Sequence, residues 1–105
     1  MIKVSFVIKR GLISGFTVEG HSGFGEEGSD IICAAVSSAA YMTVNTITDV
    51  LNLRPSLKTK DGFMTIKLSS KQSEKAQAVL AGFRLHLTEL GKIYKENITV
   101  KISEV

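Results

Sequence analysis

The sequence predicts an α+β fold: a single-domain sandwich of two helices packed on a mixed, mainly antiparallel sheet, with elements in the order ββαββαβ. Three observations lead there. Ile2, Val4, Phe6 and Ile8 alternate with Lys3, Ser5, Val7 and Lys9, the two-residue period of a half-buried strand. Lys60-Asp61-Gly62 separates two short strand-like runs and carries the Asp-Gly hairpin signature. Ala76, Val79, Leu80, Phe83, Leu87 and Leu90 recur at three and four, the period of a helix with one apolar stripe. Hairpins segregated from helices in this way bury their apolar faces as helices laid on a sheet. With 105 residues, 44% of them hydrophobic, residues 1–105 can fill one core but not two.

In order, the first strand turns at Arg10-Gly11 into a second from about Leu12 to Glu19, which carries Phe16 and Val18 inward. From Gly20 to Ser29 the chain holds four glycines and two glutamates, with no spacing that would bury a face. This reads as a mobile loop of the kind that covers a site. Asp30 reads as the N-cap of a long helix that runs to about Leu53 without Gly or Pro and is stopped by Pro55. Its small residues, Ala34, Ala35, Ser37, Ser38, Ala39 and Ala40, suit a helix lying centrally against the sheet. The second hairpin, Ser56–Lys60 and Phe63–Leu68, is followed by a helix that Ser69 or Ser70 opens and Gly91 ends. Asn97 to Val105 is the last strand.

A single cysteine excludes an internal disulfide, and no N-terminal stretch has the length and apolarity of a signal peptide or membrane span. A cytoplasmic protein with no membrane partner is expected. The formal charge is +3, yet from His21 to Leu53 there is no Lys or Arg, while Glu26, Glu27, Asp30 and Asp49 all lie there. Such an acidic centre repels a phosphate backbone, so nucleic acid is disfavoured as a partner. The basic residues of the second half (Arg54, Lys58, Lys60, Lys67, Lys71, Lys75) leave open a non-catalytic, ribosome-associated RNA- or protein-binding module, but only Phe63 stands near them as a stacking platform.

The chemistry concentrates between Gly20 and Ser37. Gly23-Phe24-Gly25-Glu26-Glu27-Gly28 matches G-x-G-x-x-G, but two glutamates would face the pyrophosphate and the preceding strand belongs to an antiparallel hairpin. Gly20-His21-Ser22-Gly23 begins like a nucleophile elbow and fails at Phe24. The remaining pattern is His21 with Cys33, the only cysteine. As the third residue of the helix, Cys33 would feel the positive end of its dipole, which favours thiolate, and an imidazolium would favour it further. Ser37, four residues on, shares its face and could orient the imidazole or support the thiolate. A structural reading is an inert core thiol. A metal site would need His21, Cys33 and His86 together; His86 reads as structural or surface, and no metal or other cofactor is expected.

Gly20-His21-Ser22-Gly23, followed by Gly28-Ser29-Asp30-Ile31-Ile32-Cys33-Ala34-Ala35-Val36-Ser37, resembles the signature of the ribosomal-processing cysteine protease (Prp, YsxB-like) family. The resemblance covers essentially the whole chain in length and element order, with Ser22 where many members have alanine. It implies a small bacterial cysteine endopeptidase that removes the N-terminal extension of large-subunit ribosomal protein number twenty-seven, after an aromatic, phenylalanine-containing end. It also implies a catalytic dyad of His21 and Cys33, with Asp30 and Ser37 at the other motif positions, and a homodimer. Ser22, Gly23, Phe24, Gly25, Glu26, Glu27 and Gly28 would then form the substrate-binding loop. Its glutamates suit a substrate rich in Lys and Arg. In the free protein this loop is expected to be mobile, with His21 closing on Cys33 only when peptide fills the site.

Overall fold

The computed structural model describes residues 1–20 and 29–105, and for Ser29 and Asp30 the backbone alone. Strands β1 (Ile2–Lys9) and β2 (Leu12–Glu19) form the first hairpin. Arg10 and Gly11 both have positive φ (53° and 79°), the turn geometry whose twist matches that of paired strands. The pairing runs from Lys3 opposite Glu19 to Lys9 opposite Leu12 and shifts between Val7 and Ile8, so that Ser14 is an extra residue on β2. Its hydroxyl donates to the Val7 carbonyl at 3.3 Å. Strands β3 (Ser56–Lys60) and β4 (Phe63–Lys67) form the second hairpin, and β5 (Ile98–Glu104) is last. The sheet order is β3-β4-β2-β1-β5, antiparallel except for β5 beside β1. The sheet is therefore open, mixed and mainly antiparallel, with the element order expected from sequence.

Helix α1 (Ser29–Asn45) continues through a wider turn over Thr46–Val50, closed by the Leu51 N–H on the Thr46 carbonyl at 2.8 Å. Two expectations for it need correction. The helix begins at Ser29, so Asp30 is its second residue and not its cap. It ends at Val50, short of Leu53, because Asn52 turns left-handed (φ 56°) and the Leu53 N–H closes back on Ile47 at 3.0 Å. Helix α2 (Ser70–Ile93) opens as predicted. The Ser69 hydroxyl accepts from the Gln72 N–H at 3.3 Å, and the Gln72 side chain accepts from the Ser69 N–H at 2.9 Å. Here the expected end at Gly91 is wrong: the helix continues to Ile93. A Cβ at Gly91 would meet the Ile98 and Val100 side chains at 3.8–4.0 Å, so packing on β5 holds the helix through a residue that alone disfavours it.

Both helices lie on one face of the sheet. Ile2, Val4 and Phe6 of β1, Phe16 of β2 and Ile66 of β4 meet Val36, Ala40 and Ile47 of the first helical segment and Leu80 and Leu87 of α2. Phe83 closes the centre, its ring 5.7 Å from that of Phe6 and 4.7 Å from that of Phe16. By length and composition alone Ile31–Val50 could cross a membrane; in this fold its Val36, Ala40, Val44 and Ile47 are core residues, while Ile31, Met42 and Val50 are exposed.

Truncating Phe83 to alanine removes the ring both other phenylalanines rest on and is expected to lower unfolding free energy by about 3–5 kcal/mol. Ile93→Ala, 70% exposed at the end of the same helix, should stay within about 0.5 kcal/mol. Urea denaturation of the two variants checks the difference.

Candidate active site

The far end of β2, the start of α1 and the β3–β4 turn enclose a cleft of about 350 Å³. Cys33, Ser37, Ala40 and Tyr41 line it from α1, Val18 and Gly20 from β2, and Thr59 to Met64 from the second hairpin. Cys33, Ser37 and Tyr41 stand four residues apart, so the helical period stacks them along one stripe. Gly20 has φ +100° and its Cα faces the Met1 carbonyl oxygen so closely that no Cβ fits. Its N–H donates to the Gly62 carbonyl at 3.0 Å. This bond continues the β2–β4 ladder, in which Val18 faces Met64 and Glu19 faces Phe63. The end of β2 is thereby locked to the turn that forms the cleft's second wall.

The Cys33 thiol is free and half-buried, packed on one side against the core and open on the other to the cleft. Because α1 starts at Ser29, Cys33 is its fifth residue, not its third. The amides that precede the first intrahelical bond are left without a helical acceptor, which in this helix includes Ser29, Asp30 and Ile31, whereas the Cys33 amide lies within the ladder. The side chain of a helical residue leans toward the N-terminus, which carries the thiol back over those free amides.

Of the residues singled out from sequence, the structure brings Cys33 and Ser37 together in the cleft. Asp30 is placed by its backbone in the first turn of α1. His21, Ser22, Gly23, Phe24, Gly25, Glu26, Glu27 and Gly28 lie outside the described residues, as do the expected loop mobility and the closure of His21 on Cys33. His86 is exposed and lines a different groove, between α1 and α2, so it does not join Cys33. Among the described residues no three His, Cys, Asp or Glu side chains are placed to hold a metal ion. Sequence reasoning missed Tyr41 and the hairpin wall, Thr59 to Phe63. Tyr41 was within reach, at twice the Cys33–Ser37 spacing. The wall was not, because it depends on which strand pairs with β2.

The chain has relatives of known sequence and structure. The sequence model of the family "Cysteine protease Prp" matches residues 1–99. The chain is 30% identical over 101 residues to the ribosomal processing cysteine protease Prp of Staphylococcus aureus (strain Mu50 / ATCC 700699), covering 93% of this chain and 95% of that one. Among solved structures it superposes on a Streptococcus mutans protein with a TM-score of 0.89, at 34% identity and covering 100% of this chain and 96% of that one. The S. aureus protease in complex with a substrate peptide superposes with a TM-score of 0.88 at 27% identity, covering 98% of this chain and 100% of that one. The same protease with a covalently linked product peptide gives 0.86 at 28% identity, with the same coverage. By sequence along nearly its whole length and by fold, the chain belongs to the Prp family and is a cysteine protease.

Proposed function

We propose that this protease removes the N-terminal extension of the bacterial large-subunit ribosomal protein number twenty-seven, with Cys33 as nucleophile and His21 as general base. The observation that carries the reading is that Gly20 and Cys33 line the same cleft. His21 is bonded to Gly20, so the chain enters the histidine from the rim of the cavity the thiol faces. The relative from S. aureus, named a ribosomal processing protease and seen with substrate and covalently linked product peptides, supports the substrate class.

The thiol passes its proton to the His21 imidazole and the sulfur attacks the scissile carbonyl. The resulting oxyanion takes hydrogen bonds from amides of the first turn of α1, Ser29 to Ile31, and not from the Cys33 amide, which the helix already uses. Collapse breaks the C–N bond, the imidazolium returns its proton to the leaving amine, and water then hydrolyses the thioester. Asp30 adds negative charge in the first helical turn, which steadies the end of the helix that carries the nucleophile. The Ser37 hydroxyl lies one turn along from the thiol and supports it. Phe24 gives the peptide an apolar contact, and Glu26 with Glu27 attract its basic side. No cofactor takes part, and the reaction takes place in the cytoplasm.

The working unit is a homodimer joined through the helical face. Here Ala35, Ala39, Met42, Val79 and Gly82 line a groove of about 590 Å³, beside which Leu85 is exposed. Small residues at its floor admit a close approach, and Met42, 64% exposed, suits burial against a second copy in an isologous contact.

Three outcomes are expected. Incubation with the extended ribosomal precursor yields one new N-terminus by mass spectrometry; Cys33→Ala abolishes it with unchanged circular dichroism, whereas retained turnover ends the nucleophile assignment. Iodoacetamide at neutral pH alkylates the chain's single thiol faster in the native protein than in urea, and a slower native reaction contradicts an activated cysteine. Sedimentation equilibrium gives twice the 11.4 kDa chain mass, and Met42→Glu with Leu85→Glu returns the monomer.

A further inference from the structure

The face of the sheet turned away from the helices gathers most of the chain's lysines, although they are scattered through its length. Strand alternation and register place Lys3 and Lys9 of β1, Lys58 and Lys60 of β3, Lys67 of β4 and Lys101 of β5 on it, all exposed. The one acidic residue the same register puts there is Glu19, opposite Lys3. These lysines outnumber the whole positive excess of the chain, which is +3, and none of the six forms an ion pair among the described residues. The middle of the face is a band of hydroxyls. Across the five strands the register reads Lys58, Thr65, Thr17, Ser5, Lys101, with the two threonine hydroxyls 2.9 Å apart.

We infer that this open face is a docking surface for the phosphate backbone of duplex RNA. Lysines at both margins and hydroxyls between them match the phosphates and 2′-hydroxyls that an A-form helix presents, and five strands span about 19 Å at the usual strand spacing. Single-stranded RNA is the poorer fit, because the one aromatic residue on the face, Phe63, has the Lys60 ammonium 5.4 Å from its ring centre and offers no free stacking platform. A lipid surface is poorer still: Val7, Leu12 and Phe63 are the large apolar residues of this face, all half-buried, and none is placed for insertion. The cleft is lined by α1 and by Val18, Thr59 and Met64 of the sheet's helical side, with Lys60 and Phe63 at its edge, so docking centred on Lys3, Lys67 and Lys101 leaves it accessible. The inference builds on the reading of ribosomal-protein processing, since it would bring the protease to a precursor already seated on RNA. It revises the expectation that nucleic acid is disfavoured, which rested on charge order along the chain and not on charge placement in space.

Fluorescence anisotropy with a labelled 20-base-pair RNA duplex of arbitrary sequence tests it. Wild-type protein should bind at 50 mM salt and lose at least tenfold in affinity by 200 mM, as expected when several phosphates are neutralised. Lys3→Glu/Lys67→Glu/Lys101→Glu should weaken binding at least tenfold and flatten the salt dependence, with unchanged cleavage of a short precursor peptide. Lys67→Glu/Lys101→Glu replaces the triple variant if circular dichroism finds it unfolded. Equal affinity of wild type and variant, binding indifferent to salt, or equal affinity for single-stranded RNA or phosphatidylserine vesicles would overturn the proposal. The peptide assay is independent of RNA, so failure of wild type to cleave would sink the processing reading and leave the binding result to be judged alone.

Discussion

The pairing of β2 with β4, ending in the Gly20 N–H on the Gly62 carbonyl at 3.0 Å, is the constraint on which the site depends. Without it the β3–β4 hairpin would be a flap on the edge of the sheet, with β3 exposed along its whole length. With it, the hairpin turn is carried to the end of β2 and faces the first turns of α1, so that three segments distant in sequence become walls of one cleft. The bond is available because Gly20 adopts φ +100° against the Met1 carbonyl, which no residue with a side chain could do there. A backbone requirement at one glycine therefore fixes both the substrate cleft and the point from which the chain enters His21.

What the sequence revealed follows the range of the forces involved. The two-residue alternation of β1, the Asp61-Gly62 turn and the opening of α2 at Ser69 or Ser70 are settled by neighbours a few residues apart, and each appears in the structure where the pattern placed it. Helix ends were less legible. Gly91 is a local stop signal that packing on β5 overrides, and Asn52 stops α1 earlier than Pro55 would require. Strand order was not legible at all. The parallel seam of β5 on β1 and the place of β4 beside β2 are set by burial of faces far apart in sequence. The Cys33 and Ser37 half of the site was legible because both sit on one helix; the hairpin half was hidden because it follows from strand order.

The start of α1 shows how a shift of two residues changes chemistry. Were Asp30 the cap, the Cys33 amide would be among the free donors of the first turn and could itself hold an oxyanion. With Ser29 as first residue that amide is inside the ladder, and the donors move to the preceding turn. A helical side chain leans toward the N-terminus, so the Cys33 thiol is directed toward the first turn while its own backbone stays in the ladder. Partial burial against the core adds a second constraint. The Cys33 thiol is thus held by a hydrogen-bonded helix and by a core contact together.

Net charge is a poor guide to partners for a chain whose charges are layered. No Lys or Arg occurs between His21 and Leu53, the stretch that supplies α1 and one side of the cleft, while six lysines stand on the opposite surface of the sheet. A helix layer packed on a sheet separates the two surfaces by about 10 Å. The screening length at physiological salt is about 8 Å, so each surface acts on what touches it with little interference from the other. On the proposed reading, a basic peptide reaches the cleft on one side while a polyanion is held on the other. That arrangement would suit an enzyme whose proposed substrate is a basic protein made to bind RNA. Competing with that RNA by a single uniform charge would defeat one interaction or the other. Facing the two partners with opposite surfaces satisfies both.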